Sequence, residues 1–151
     1  MLNIVLVNPQ IPPNTGNIAR LCAALELNLH LVHPLGFSVD DRYLRRAGLD
    51  YWPFVKVIHH ESLEKFFENN SVGRFYYLTT KSQKPYTSVK YQKNDYLLFG
   101  PETSGLAKEL LDKNKDYTLT IPMTGQVRSL NLSSAVSMVV GEAYRQINYE
   151  L

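Results

Sequence analysis

The feature of this sequence that most constrains its fold is a regular alternation of short apolar runs with amphipathic segments. Six apolar runs are predicted to form β-strands, at residues 2–7, 29–33, 55–58, 75–79, 96–99 and 117–121. Most of these runs are continuously apolar, which is typical of strands in a sheet covered on both faces. Strands that alternate with helices predict an α/β domain with a mostly parallel sheet sandwiched by helices.

The segments between the strands carry the spacing of amphipathic helices. Four apolar side chains from Ile18 to Leu25 recur at i, i+3, i+4 and i+7, with Asn14 or Thr15 as the predicted N-cap. Further helices are predicted over residues 40–47 with Gly48 as C-cap, over 61–68, over 104–112, and from Asn131 to the C-terminus.

Composition excludes several classes of protein. The 151 residues suffice for one domain, and 44% hydrophobic with 20% charged residues is typical of a globular protein. Cys22 is the single cysteine, so no intrachain disulfide can form, and the apolar runs are too short for a membrane span. The four histidines lack the spacing of a metal site. We therefore expect a cytoplasmic protein without a metal, with residues 1–151 forming a single domain.

Three polar loops, at residues 8–15, 100–104 and 122–131, follow the first, fifth and sixth predicted strands. Ligands of open α/β sheets bind beyond the carboxyl ends of the strands, so we expect a site where these loops converge. The first loop lacks the glycine-rich patterns of a dinucleotide turn or a P-loop. Arg20 follows one helical turn after Gly16, where a guanidinium could bind an anion such as a backbone phosphate.

Each loop also has a simpler interpretation, which stays open at this point. In that interpretation, Asn14 caps a helix and has no other role, and Arg20 is an ordinary surface arginine. In the simpler interpretation, the sole role of Glu102 is to complement the positive end of a helix dipole, and the sole role of Asn131 is to be an N-cap. The net charge of +2 does not by itself identify a nucleic-acid-binding protein.

Three segments in order resemble the motifs of the SPOUT class of RNA methyltransferases: NTGNIAR, LLFGPETSGL and IPMTGQVRSLNLSSAVS. The segments IPPNTGNIARLCAA and DDRYLRRAGLDYW are similar to the short tRNA wobble-nucleotide 2′-O-methyltransferases of the TrmL (YibK) type, and the resemblance covers essentially the whole chain. It implies a SPOUT fold whose C-terminal segment forms a deep trefoil knot. It also implies a homodimer. From the residues themselves we expect no membrane binding, since the apolar runs are short, and, unlike in family members with broader targets, no added RNA-binding domain.

The resemblance implies a reaction as well as a fold. S-adenosylmethionine (AdoMet) would donate a methyl group to the ribose 2′-hydroxyl of the wobble nucleotide of tRNA, a cytidine or a modified uridine, in leucine tRNAs. The anticodon stem-loop of the tRNA would be the partner, and no metal would take part.

Site residues follow from matching positions in the motifs. The catalytic positions are Arg20, Asn14, Glu102, Ser129 and Asn131. The cofactor-binding positions are Leu78, Thr79, Gly100, Glu102, Ile121, Met123, Ser129 and Leu130. Arg20 is also matched to an RNA-facing position. The other RNA-binding candidates come from the residues themselves: Arg42, Arg45 and Arg46 share one predicted helix face at i, i+3 and i+4, and Lys81 and Tyr144 are added as further contacts.

The residue types suit this chemistry. An adenine ring needs an apolar slot, which Leu78, Ile121 and Leu130 can provide. A guanidinium keeps its proton at neutral pH, so Arg20 is better suited to bind the adjacent phosphate and stabilise a developing alkoxide than to act as a base. Two other functions stay open: a non-catalytic RNA-binding or ribosome-assembly module, and a 2′-O-methyltransferase of another tRNA or rRNA site. A flavodoxin-like binder of small molecules would need a phosphate loop, which the sequence lacks.

Overall fold

Six parallel strands form a single sheet in this computed structural model, which describes residues 1–149, apart from the side chains of residues 45 and 47–49. The strands are β1 (Asn3–Val7), β2 (Asn28–Val32), β3 (Lys56–His60), β4 (Phe75–Leu78), β5 (Tyr96–Phe99) and β6 (Thr118–Leu119). Their order across the sheet is β3-β2-β1-β5-β4-β6, and every neighbouring pair is parallel. The predicted mostly parallel sheet is confirmed.

Five α-helices connect or flank these strands: α1 (Pro12–Leu25), α2 (Arg42–Gly48), α3 (Leu63–Asn69), α4 (Lys108–Lys113) and α5 (Leu132–Asn148). Short 3-10 helices lie at Leu49–Phe54, Tyr86–Ser88 and Lys115–Tyr117. None of the helices in the described part of the chain combines the length and the hydropathy that a membrane crossing requires.

The core has two halves, one on each face of the sheet. Alternate side chains of β1 point to opposite faces, since Ile4 packs in one cluster with Ile18 of α1 and Val140 of α5. Val5 packs in the other cluster with Phe66 of α3. Helices therefore cover both faces, which explains why the central strands β1 and β5 are almost entirely apolar, whereas the edge strand β3 carries Lys56, His59 and His60.

The start of α1 differs from the prediction. The helix begins at Pro12, with Ile11 as N-cap and without a side-chain cap. Proline has no N–H group to satisfy and its φ is already helical, so the pair Pro12 and Pro13 starts the helix three residues before the start that an Asn14 cap would give. The prediction that Asn14 or Thr15 is the N-cap is therefore wrong, because both lie buried within the first turn.

Other boundaries also shift for local reasons. The fourth helix begins at Lys108 rather than at residue 104, because Gly105 takes a left-handed φ of 68° that a helix cannot include. Gly48 is not a C-cap, since α2 includes it and a 3-10 helix follows directly. The last strand has two residues, and Thr120 beyond it pairs instead with the segment that carries Pro85. The trefoil knot stays a prediction.

Candidate active site

Side-chain hydrogen bonds tie the three polar loops together beyond the carboxyl ends of the strands. Asn14 of α1 donates from Nδ2 to Oε1 of Glu102, which lies in the loop after β5, at 3.5 Å. Asn131, before α5, donates from Nδ2 to Oδ1 of Asn14 at 3.0 Å. The predicted convergence of the loops is confirmed, with Asn14 as the residue that contacts both of the others.

The carboxylate of Glu102 binds the start of α1. Its two oxygens accept hydrogen bonds from the backbone N–H groups of Gln10 at 2.8 Å and Ile11 at 3.0 Å. These N–H groups belong to the unpaired positive end of the helix, where a negative charge is favourable. The hydroxyl of Thr103 adds a bond of 2.8 Å to Oε1 of Gln10. Glu102 does complement a helix dipole, but that of α1 and not that of the helix that follows it.

The side chain of Asn131 both caps α5 and binds Asn14. Its Oδ1 accepts hydrogen bonds from the backbone N–H groups of Ser133 at 3.0 Å and Ser134 at 3.3 Å, as the N-cap of α5. Its Nδ2 meanwhile makes the bond to Asn14. The amide orientation is thereby determined on both sides, and the long C-terminal helix is attached to the first loop.

A pocket with a volume of about 300 Å³ opens between the second and third loops and the end of β4. All eight residues predicted to bind the cofactor line it: Leu78, Thr79, Gly100, Glu102, Ile121, Met123, Ser129 and Leu130. Its charged lining residues are Lys81, Glu102 and Arg128. An apolar pocket with a few polar groups is the usual form of a small-molecule site, and the volume falls at the lower end of the range for such sites.

Gly100 shapes the wall of this pocket. A Cβ atom at this position would lie 2.2 Å from the backbone of Gly105 and of Leu106. The chain folds back on itself here so closely that only glycine fits. This turn brings the backbone of residues 100–106 around one side of the pocket.

Arg20 lies outside the hydrogen-bonded group of Asn14, Glu102 and Asn131. It is six residues beyond Asn14 on α1, which is about 9 Å along the helix axis. Its exposed guanidinium stacks on the ring of Tyr51, 4.8 Å from the ring centre. Within residues 1–149 it makes no hydrogen bond or ion pair, so all of its N–H groups stay available to a ligand.

The other predicted RNA-binding residues occupy several surfaces. Arg42 and Arg46 are exposed on α2, which packs on α1, and the guanidinium of Arg42 lies 5.0 Å from the ring centre of Tyr43. The side chain of Arg45 lies outside the described residues. Lys81 lines the pocket, and Tyr144 of α5 is half-buried with its ring against that of Tyr149.

Comparison with known proteins agrees with this geometry. Residues 1–141 match the SpoU rRNA Methylase family. The tRNA (cytidine(34)-2′-O)-methyltransferase of Escherichia coli strain K12 is 51% identical over 150 residues, which are 99% of this chain and 96% of that one. The chain belongs to the SpoU methylase family.

Solved structures of SpoU-like enzymes share the fold. A structure described as giving insight into the 2′-OH methylation of C/U34 on tRNA superimposes with a TM-score of 0.92 at 46% identity, over 97% of this chain and 95% of that one. A SpoU methyltransferase from Streptomyces viridochromogenes in complex with AdoMet superimposes with a TM-score of 0.84 at 23% identity, over 97% of this chain and 60% of that one. The SPOUT resemblance of the three motifs is confirmed.

Sequence reasoning missed part of this SpoU site. Gln10 and Ile11 contribute backbone N–H groups, which no sequence pattern distinguishes. Arg128 lines the pocket, and it could have been found because it precedes Ser129 in the third motif. The ring of Tyr51 stacks under the guanidinium of Arg20. The only sequence signal for this contact was that Tyr51 is an aromatic residue shortly after the basic helix α2.

Proposed function

We propose that this protein transfers the methyl group of AdoMet to the ribose 2′-hydroxyl of the wobble nucleotide of tRNA, a cytidine or a modified uridine. The observation that carries the proposal is the bonded group of Asn14, Glu102 and Asn131 beside a pocket lined by all eight predicted cofactor residues. The name of the E. coli relative supports cytidine 34 of tRNA as the target.

The chemistry of the pocket lining fits AdoMet. When bound, AdoMet supplies an electrophilic methyl group on a sulfonium centre. Leu78, Ile121 and Leu130 provide an apolar slot for the adenine ring. Lys81 and Arg128 are the cationic lining residues that could pair with the carboxylate of the methionine moiety.

Glu102 acts as the residue that positions the loops rather than as the base. Its carboxylate already accepts two backbone hydrogen bonds and one from Asn14, so its oxygens are occupied in holding the first loop. The exposed hydroxyl of Ser129, which lines the pocket, is better placed to orient the ribose.

Arg20 binds the phosphate next to the target ribose and stabilises the negative charge that develops on its 2′-oxygen. The proton leaves to the phosphate or to water, because a guanidinium keeps its own proton at neutral pH. The absence of any ion pair to Arg20 within the described residues supports this role, since an internal carboxylate would compete with phosphate.

The active form is a homodimer. Arg20 lies on the exposed face of α1 and is not among the lining residues of the pocket in its own chain. A second copy whose pocket faces α1 would bring the guanidinium to the bound nucleotide. Leucine tRNAs are the proposed substrates, bound through the anticodon stem-loop by one domain formed of residues 1–151, in the cytoplasm.

The test combines mapping and mutation. The purified protein, AdoMet and a leucine tRNA transcript are incubated, and mass spectrometry of the digested tRNA locates the ribose methyl group. We expect a single 2′-O-methylated nucleotide at position 34. A protein that binds the tRNA and AdoMet without forming this product would overturn the proposal in favour of a non-catalytic binder.

The role of Arg20 has its own variants. Arg20→Lys should retain most tRNA binding, since the charge remains, but lose most of the turnover, since one ammonium cannot replace a planar guanidinium. Arg20→Ala should lose both, and an Arg20→Ala enzyme of native activity would contradict the role given to this residue. Sedimentation of the native protein tests the dimer separately.

A further inference from the structure

A second pocket adjoins the cofactor pocket on the side of β6. Its volume is about 450 Å³, and Thr79 and Lys81 line both pockets. The charged side chains around it are Lys81, Lys108, Lys115 and Asp112. We call it the basic pocket. Apart from Thr79 and Lys81, its lining residues have no role in the site described above.

Hydrogen bonds hold one wall of the basic pocket in place. Ser82 Oγ donates to the backbone oxygen of Thr118 at 3.0 Å, and Thr118 Oγ1 donates to that of Lys115 at 2.8 Å. The backbone N–H of Lys84 donates to Ser82 Oγ at 3.1 Å. These bonds connect the loop after β4 to the segment that enters β6, so the wall of the pocket does not depend on the lysine side chains.

The charge in this pocket is concentrated and unpaired. Three lysines surround one aspartate, whereas the formal net charge of the whole chain is only +2. Lys81, Lys108 and Lys115 are exposed, and none of them joins an ion pair within residues 1–149. Lysines clustered in a concave site, without carboxylate partners for each, attract anions, because a cleft lined mainly by one sign of charge focuses the electrostatic field.

We propose that the basic pocket binds a backbone phosphate of the tRNA, with Lys108 and Lys115 as its principal contacts. The inference rests on the proposed function, because that function brings RNA to the neighbouring pocket. A phosphodiester is then the anion present at high local concentration, and a lysine ammonium binds it as a point charge without reading sequence. The contact would position the tRNA and would not select it.

The experiment removes two charges from the pocket and, separately, two from elsewhere. Lys108→Gln/Lys115→Gln leaves Lys81 intact, because Lys81 also lines the cofactor pocket. The control is Lys56→Gln/Lys93→Gln, which makes the same change in net charge near the amino ends of β3 and β5. Those ends lie opposite the edge of the sheet where the loops meet. The dissociation constant of tRNA is measured for the native protein and both variants at several salt concentrations.

We expect the pocket variant to bind tRNA about tenfold more weakly, with a slope of log Kd against log salt lower by about one to two than that of the native protein. The control should match the native protein in slope. The AdoMet dissociation constant of the pocket variant should not change. A slope equal to that of the control would overturn the proposal, and so would a loss confined to AdoMet binding, which would assign the lysines to the cofactor.

Two RNA probes locate the phosphate. Weaker binding of both whole tRNA and an isolated anticodon stem-loop supports a contact inside that arm, and weaker binding of whole tRNA alone supports a contact outside it. If neither RNA binds more weakly to the pocket variant, the proposed role of the pocket is refuted. Because the readout is binding, it stays separate from the proposed function: a native protein that binds tRNA in a salt-dependent way but forms no methylated product would refute the function and leave this test intact.

Discussion

Replacing Glu102 by glutamine removes the charge that attaches the second loop to the first while keeping the size of the side chain. In the native protein its two oxygens accept hydrogen bonds from the backbone N–H groups of Gln10 and Ile11 at 2.8 and 3.0 Å. A glutamine has one carbonyl oxygen, so it keeps one of these bonds. Its NH₂ group then faces the other N–H donor, and that donor loses its partner.

The expected loss in the free energy of unfolding follows from the number of hydrogen bonds that the glutamine cannot make. A hydrogen bond to a charged group contributes about 1.5–3 kcal/mol, and a donor left without a partner costs a similar amount when buried. Glu102 is only half-buried, so water can replace part of the loss. We therefore expect the free energy of unfolding to fall by about 2 kcal/mol. For a chain of this size the Tm should fall by about 4–8 °C.

Urea and thermal denaturation measure this change, and titration calorimetry measures AdoMet binding in the same samples. AdoMet should bind more weakly, since Glu102 lines the pocket and its loop would no longer be anchored. Glu109→Gln is the matched control, because Glu109 is exposed on α4. If Glu102→Gln unfolds within about 0.5 kcal/mol of the native protein, as expected of a surface change, the carboxylate does not hold the loops together.

Two further perturbations test other parts of the structure. Tyr51→Leu removes the ring on which Arg20 stacks, and a cation–π contact at an exposed site contributes about 0.5–1 kcal/mol. We expect kcat/KM for tRNA to fall about two- to fivefold in a methylation assay, and Tyr51→Phe to retain native activity. Burial, with smaller contributions from the charges of His60 and Lys56, lowers the pKa of His30 to about 4. Acid titration of the unfolding free energy should show full stability above pH 6.5 and a loss of roughly 3 kcal/mol by pH 4, because only the unfolded chain takes up the proton in that range.

Each of these has a clear contrary result. Equal kcat/KM values for Tyr51→Leu and the native enzyme would show that Arg20 needs no ring beneath it. A Tyr51→Phe variant as impaired as Tyr51→Leu would assign the effect to the hydroxyl instead. For His30, the His30→Leu variant should have a flatter dependence of stability on pH between 6.5 and 4. An unchanged slope would place the responsible group elsewhere, whatever the absolute stability of the variant.

Local patterns in the sequence predicted the helices and strands well, and the residues that the resemblance assigned to the cofactor line one pocket. All six strands were found, with boundaries within a few residues, because buried parallel strands are continuous apolar runs that are readable one at a time. The alternative that Asn131 is an N-cap is confirmed, and it was readable because the capping side chain and the N–H groups that donate to it are near neighbours in sequence. Six of the eight residues lie in the second and third motifs, each of which continues past the carboxyl end of a strand, and Leu78 and Thr79 lie at the end of β4 on the same edge of the sheet.

The start of α1 shows where local reading fails. Asn14 has the residue type of an N-cap, but the two prolines before it already start the helix. Its side chain is therefore free to join Glu102 and Asn131, from which it is 88 and 117 residues distant in sequence. No pattern in the neighbourhood of Asn14 indicates either partner.

What the sequence determined by itself is the set of elements and the identity of the loops that meet, because periodicity, proline and capping act within a few residues. The tertiary structure alone decided how those loops bind each other. The strand order places β5 beside β1, which brings Glu102 to the backbone of Gln10 across 92 residues. It also brings Lys81 and Lys115 to one pocket from separate elements. Such contacts depend on the path of the whole chain through the sheet, and no short stretch of residues predicts that path.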